Sequence, residues 1–180
     1  RKDKTTNAVY VRRDWYDNLD SISTFSKNIG KPFWAFALSV SHDIGQEWYY
    51  PEPTIAHLRL QVYSNLAYGA QGIQYFTFWA PNDPYYYIAP ITRDGVKTAV
   101  YDLVKTVNEE IKNLSFVFYG STVKWVRHKG IYEQYVILPL TTELNGTPIN
   151  ITGQQGGILV SLHEKGTSQY LGFVNYNLAS

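Results

Sequence analysis

Two almost unbroken apolar runs with a helical repeat between them dominate the pattern of hydrophobic and polar positions. Residues 31–40 read KPFWAFALSV, and residues 72–79 form a second run rich in β-branched and aromatic side chains. Runs of this length and composition suggest strands buried on both faces, as in a parallel sheet covered by helices. Between them Ile55, Leu58, Val62 and Leu66 recur at helical spacing, beside a second row of Ala56, Leu60, Tyr63 and Ala67. This predicts a helix buried over a wide face. Parallel neighbours need a crossover of about a dozen residues or more, and this helix supplies it.

The flanking pattern is consistent with that unit. Trp15, Leu19, Ile22, Phe25 and Ile29 predict an earlier helix, with Asp14 placed to cap its start and Gly30 to close its end. Residues 1–7 are polar and expected to fray, and 8–11 read as a short strand end or a lead-in. Val96, Val100, Leu103, Val107, Ile111 and Leu114 predict a third helix, with Thr92 or Asp94 as its cap. From Ser121 the period changes to two. Val123 and Trp125 alternate with polar neighbours, as do Ile131, Glu133, Tyr135 and Ile137. Residues 158–163 face 170–174 across a Glu164-Lys165-Gly166-Thr167 turn. That is an antiparallel β module with hairpin chemistry, and its 141–157 stretch reads as an internal loop.

Two parallel strands alone expose two edges. Residues 1–120 therefore read as the closing portion of a larger α/β sheet, either a barrel or an open doubly wound one, and 121–180 as an incomplete antiparallel β domain. No Gly-rich phosphate fingerprint follows either strand, which argues against a dinucleotide site.

Composition narrows the classes. The 180 residues can hold one sizeable core or two small ones, and 44% apolar with 16% aromatic content belongs to globular proteins. A net charge of +1 without a basic stripe disfavours nucleic acid as a partner. No apolar run approaches the roughly 20 residues of a membrane span. The absence of Cys removes disulfides and thiolate metal sites and leaves the redox compartment open. No His pair at i, i+4 and no dense acidic loop appears, so no metal and no cofactor is expected. The chain opens with RKDKTTN and contains no Met, so it is expected to be an interior piece of a longer polypeptide.

The order of residues through 31–79 resembles the end of the (β/α)8 barrel in clan A glycoside hydrolases, most nearly the family 42 β-galactosidase-like enzymes. The resemblance rests on Pro32-Phe33-Trp34, Pro51 to Pro53, Arg59-Leu60, Ala67-Tyr68-Gly69-Ala70-Gln71-Gly72 and Tyr75-Phe76-Thr77-Phe78-Trp79 in sequence. It implies that the strand at Pro32 is barrel strand seven and the strand at Gly72 is strand eight. It also implies a retaining mechanism with an acid/base on strand four, upstream of this chain, and a nucleophile at the end of strand seven. The two carboxyls in such enzymes lie about 5 Å apart. On this chain the nucleophile position falls at Ala37, or at Leu38 with a one-residue slip, and neither can act. The resemblance therefore supports two expectations. One is a hydrolase whose acids lie outside this piece, with a β-galactoside among its candidate substrates. The other is a catalytically inactive barrel that binds or scaffolds an oligo- or polysaccharide. Both place the remainder of the barrel upstream as a partner of this chain.

In a barrel, chemistry sits at the carboxyl ends of the strands. That selects Ser39, Ser41, His42, Asp43 and Glu47 after the first strand, and Thr77, Trp79, Asn82 and Asp83 after the second. Trp79 resembles the aromatic platform on which sugar enzymes stack the apolar C–H face of a pyranose; the plain alternative is a packed indole at the barrel mouth. His42 is either a donor to a sugar hydroxyl or an ordinary packed histidine. Asp43 and Glu47 are the acids close enough in sequence to stand in for the missing nucleophile, although a loop carboxylate is more often simply solvated. Tyr86, within Tyr85-Tyr86-Tyr87, either lines a sugar cleft or packs over the barrel end. Arg59, which interrupts an apolar helix, is expected to pair with an acid or a carbonyl.

Overall fold

A computed structural model of the protein describes residues 1–129, 140–152 and 157–175. In chain order its elements are β1 (Lys2–Asp3), α1 (Arg13–Ile29), β2 (Trp34–Leu38), β3 (Trp48–Tyr49), α2 (Ile55–Ala67), β4 (Gly72–Phe76), α3 (Ala99–Asn113), α4 (Ser115–Phe118), β5 (Thr122–Lys129), β6 (Leu140–Leu144), β7 (Thr147–Ile151), β8 (Ile158–Lys165) and β9 (Ser168–Asn175). Among the described residues the fold is mixed α/β with four helices and small sheets, and no closed barrel is formed.

Helix α2 is central. Thr54 Oγ1 accepts the His57 N–H at 3.2 Å while His57 Nδ1 accepts the Thr54 N–H at 3.4 Å, so two backbone donors at the helix start are satisfied reciprocally. Leu58, Val62 and Leu66 pack with Ala37 and Val107 in one cluster. Leu60 and Ala67 join a second cluster with Tyr16, Phe33, Leu159 and Val174. Two apolar rows thus meet two sets of neighbours, and the helix is buried over the wide face that its sequence predicts. The second cluster also means that the antiparallel sheet and the α/β part share one core.

Strands β2 and β4 pair in parallel, in register from Trp34↔Gly72 to Leu38↔Phe76, with α2 as the crossover. The expectation of burial on both faces is corrected. Ala35 and Ala37 lie under the helical layer, but Trp34 and Phe36 are 65% and 63% exposed, and Phe76 is 41% exposed. Helices cover one face of this two-stranded sheet, and among the described residues no layer covers the other. A long apolar run records that both sides of a strand are greasy, not which neighbours cover them.

Helix α1 closes at Gly30 in the left-handed conformation (φ 63°), as expected, but Asp14 is not its cap. Asp14 lies in the first turn and forms an ion pair with Arg12. Tyr16 and Leu19 are buried, whereas Ile22, Phe25 and Ile29 are exposed. The N-terminal segment does not fray: β1 pairs antiparallel with β3, placing Lys2 opposite Tyr49. Helix α3 is capped by Thr98, whose Oγ1 accepts the Val100 N–H at 3.2 Å, rather than by Thr92 or Asp94. Val96 lies outside that helix and is exposed.

The predicted hairpin of β8 and β9 is present, and β5 completes a three-stranded antiparallel sheet with β8 in the middle. Trp125, expected in a core, is half-buried beneath the Arg127 guanidinium, 5.4 Å from the ring centroid. The reading of 141–157 as a loop is corrected: β6 and β7 pair through an Asn145-Gly146 turn, with φ values of 50° and 76°. Asn-Gly is the dipeptide that such two-residue turns prefer. The alternation at Ile131, Glu133, Tyr135 and Ile137 lies outside the described residues.

Candidate functional site: the cavity at the strand ends

Backbone direction decides which side chains reach the strand ends. Ser39 N–H donates to the Phe76 carbonyl (2.8 Å) and Gln71 N–H to the Phe33 carbonyl (2.9 Å). Odd-numbered residues of β2 therefore turn their peptide groups toward β4, and even-numbered residues turn theirs to the free edge. That edge is met by α2. Gln61 accepts the Leu38 N–H through Oε1 (2.8 Å) and donates Nε2 to the Leu38 carbonyl (3.3 Å), while Asn65 Nδ2 donates to the Phe36 carbonyl (3.0 Å). Side chains alternate in the other sense. Ala37 is fully buried against α2, and Leu38 faces the open side. At the position where the resemblance puts a nucleophile, the residue directed to the open side is Leu38.

The carboxyl ends of β2 and β4 open onto a cavity of about 480 Å³. Phe36, Leu38 and Phe76 form its floor, and His42, Tyr50, Pro51, Pro53, His57 and Gln61 line it from the following loop and from α2. Trp15, Asn18 and Asp14 close it from α1, with Arg12 just before that helix. Aromatic faces lie beside a small set of polar groups, the composition of a site for a ligand with both an apolar face and hydroxyls.

His42 is buried, and its ring lies between those of Tyr50 (centroids 4.3 Å apart) and Tyr86 (5.0 Å). Its backbone exchanges hydrogen bonds with Tyr50, at 3.0 and 2.9 Å. Burial pushes its pKa below the ordinary imidazole value, opposed by the Val40 carbonyl and the Asp43 charge. His57 is likewise lowered, first by burial. Both rings are thus held toward the neutral form, able to donate through one nitrogen and accept through the other.

The other expected residues fall into two groups. Ser39 is fully buried; its Oγ donates to the Thr77 carbonyl at 3.0 Å, so Ser39 and Thr77 tie the two strand ends together. Tyr86 packs behind His42 and against Phe76. Ser39, Thr77 and Tyr86 thus gather at the strand ends behind His42, but of the expected site residues only His42 lines the cavity. Asp43, Glu47 and Trp79 lie away from it. Asp43 pairs with Lys4 at 2.8 Å and accepts the Gly45 N–H, and the Lys4 hydrogen bond holds its carboxyl below the usual range. Glu47 is exposed, and its carbonyl accepts the Lys4 N–H. Trp79 is exposed and donates its indole N–H to the Arg93 carbonyl at 3.3 Å. Arg93 in turn donates to the carbonyls of Pro81, Asp83 and Tyr86, holding the 80–98 loop in shape.

Sequence reasoning missed Tyr50, His57, Gln61 and the α1 contributors. Two signals point to them in the sequence: the long aromatic 41–53 loop that carries Tyr50, and Gln61, a polar residue between Leu60 and Val62 in an apolar helix. Comparison of the sequence with family models and with curated proteins gives no match.

Proposed function

We propose that this chain is the closing portion of a (β/α)8 barrel of the glycoside hydrolase kind, similar to family 42, and that it binds an oligo- or polysaccharide in the cavity at the ends of β2 and β4. The observation that carries this reading is the parallel pairing of two strands joined through a helical crossover, whose carboxyl ends open on one aromatic, hydrogen-bonding cavity. The bare face of Trp34, Phe36 and Phe76 supports further strands, supplied upstream, as the partner of this sheet. The reaction is hydrolysis of a glycosidic bond, with a β-galactoside among the candidate substrates and its carboxylate pair completed from outside this chain. Assay of the full-length protein on aryl glycosides and a glycan panel tests it. Turnover is expected, and the absence of both turnover and sugar binding would overturn it.

A second reading is favoured by one specific observation. Neither Ala37 nor Leu38, the two positions where the resemblance would put the nucleophile, is an acid, and among the residues lining the cavity the single carboxylate, Asp14, is already paired with Arg12. Under this reading the barrel is an inactive carbohydrate-binding scaffold. Calorimetric titration that finds oligosaccharide binding without hydrolysis selects it over the first. An Asn-Glu pair ending a strand upstream of residue 1 selects the enzyme.

A further inference from the structure

A second cleft, of about 390 Å³, lies on the far side of Tyr50 and Pro51, which line both spaces and so partition them. Its walls are Tyr49, Tyr87 and Ile88, and Lys4, Asp43 and Glu52 lie among them. The Tyr87 side is built on a fixed backbone. Tyr87 N–H donates to the Ser41 carbonyl (3.0 Å), Ser41 N–H to the Ile88 carbonyl (2.8 Å), and Ile88 N–H to Ser41 Oγ (2.9 Å), with Ser41 itself buried. Tyr87 nevertheless remains 56% exposed. An amphipathic ring held in water on an ordered backbone is prepared to stack on a ligand at little conformational cost.

We propose that this cleft is a second glycan site, separate from the strand-end cavity, taking one or two units of a neutral oligosaccharide. The inference rests on the carbohydrate reading above. The rings of Tyr49 and Tyr87 offer faces for pyranose C–H surfaces, and the carboxylates and the ammonium offer acceptors and donors for hydroxyls. Charge selects the class. Lys4 is neutralised by Asp43 at 2.8 Å, and Glu52 adds a further negative charge, so uronate or sulfated sugars are repelled while neutral ones are not.

Titration calorimetry of the full chain with β-1,4-galactotetraose and with tetragalacturonate tests this, using wild type, Tyr87→Ala and Tyr87→Phe. The expected result is two classes of site for the neutral sugar. Tyr87→Ala weakens one class about tenfold and leaves the other unchanged, Tyr87→Phe retains both, and the acidic sugar is not bound at the Tyr87-dependent class. A neutral-sugar isotherm that Tyr87→Ala leaves unaltered overturns the second site while leaving the cavity reading intact. Equal binding of tetragalacturonate at the Tyr87-dependent class overturns the assignment to neutral sugars. No binding of the neutral sugar to wild type overturns the second site, and no binding across the glycan panel overturns the carbohydrate reading as well.

Discussion

Gln61 of α2 grips the backbone of Leu38 at both ends, accepting its N–H at 2.8 Å and donating to its carbonyl at 3.3 Å. Within this chain the side-chain amide satisfies the Leu38 peptide group at the edge of β2 away from β4, the edge that an upstream strand would take over in the proposed barrel.

Removing that amide leaves the Leu38 peptide group without its partner at a half-buried position. Gln61→Ala is expected to destabilise the fold by about 1–3 kcal/mol and to raise the tendency to self-associate. Urea unfolding reads the first effect and analytical ultracentrifugation the second. Unchanged stability would mean that solvent satisfies the edge.

Gly72 is required by Trp34, its cross-strand partner. A β-carbon built on Gly72 would come within 2.7 Å of Cδ2 and Cε2 of the Trp34 indole, so the ring lies across the bare backbone of β4. Gly72→Ala is expected to destabilise by about 1 kcal/mol or more, against the small gain that Gly→Ala otherwise brings through the unfolded chain. In a Trp34→Ala background the same change becomes neutral or stabilising. A double-mutant cycle measures that coupling.

His128 and His163 make stability depend on pH. Burial lowers both pKa values to about 4. The Tyr68 hydroxyl lies 2.7 Å from His128 Nε2, and Ser121 and Ser161 hydroxyls flank His163 at 3.2 and 2.9 Å. In the unfolded chain both rings return to about 6.5. Between about pH 6.5 and pH 4 the unfolded state therefore binds more protons, and stability falls as pH falls through that window. The loss is on the order of 3 kcal/mol for each ring by pH 4, and above pH 6.5 these two groups contribute no slope. Chemical denaturation at pH 7, 6, 5 and 4.5 checks the slope, to which the lowered His42 and His57 add in the same direction, and His163→Gln should remove about half of the part due to His128 and His163.

Arg59 and Glu110 join α2 to α3 through a fork, with Nε at 3.1 and 3.2 Å from the two carboxylate oxygens, and Tyr63 donates to the same carboxylate at 3.2 Å. The pairing with an acid agrees with the sequence reading, but it lies at the surface. Arg59→Ala should therefore cost no more than about 1 kcal/mol, and the difference should shrink in high salt. Thermal melts at low and high ionic strength test this.

His42 separates packing from recognition. Its ring is stacked between two tyrosines, so His42→Phe should keep the melting temperature. Losing the ring nitrogens should weaken oligosaccharide binding in the strand-end cavity by about three- to tenfold, the worth of one neutral hydrogen bond. Binding unchanged in His42→Phe would make His42 a packing residue only.

What the sequence determined by itself was local and periodic. The two apolar rows of α2, the two strands it joins in parallel, Gly30 at the end of α1 and the β8–β9 hairpin are all set by spacing and turn chemistry within a few residues of each other. The Asn145-Gly146 turn was equally visible there, and reading 141–157 as a loop passed over it. The contacts across long separations were decided by tertiary structure alone. Sequence shows that residues on β2 alternate, but only the hydrogen bonds to β4 and the packing of α2 put Ala37 inside the core and Leu38 at the cavity. The same holds for Lys2 pairing with Tyr49, for Gln61 holding Leu38, and for the pairing of Asp43 with Lys4. A periodic pattern carries the phase of one element, whereas the meeting of side chains from distant elements depends on how several phases combine, and that combination is written in no single stretch of the chain.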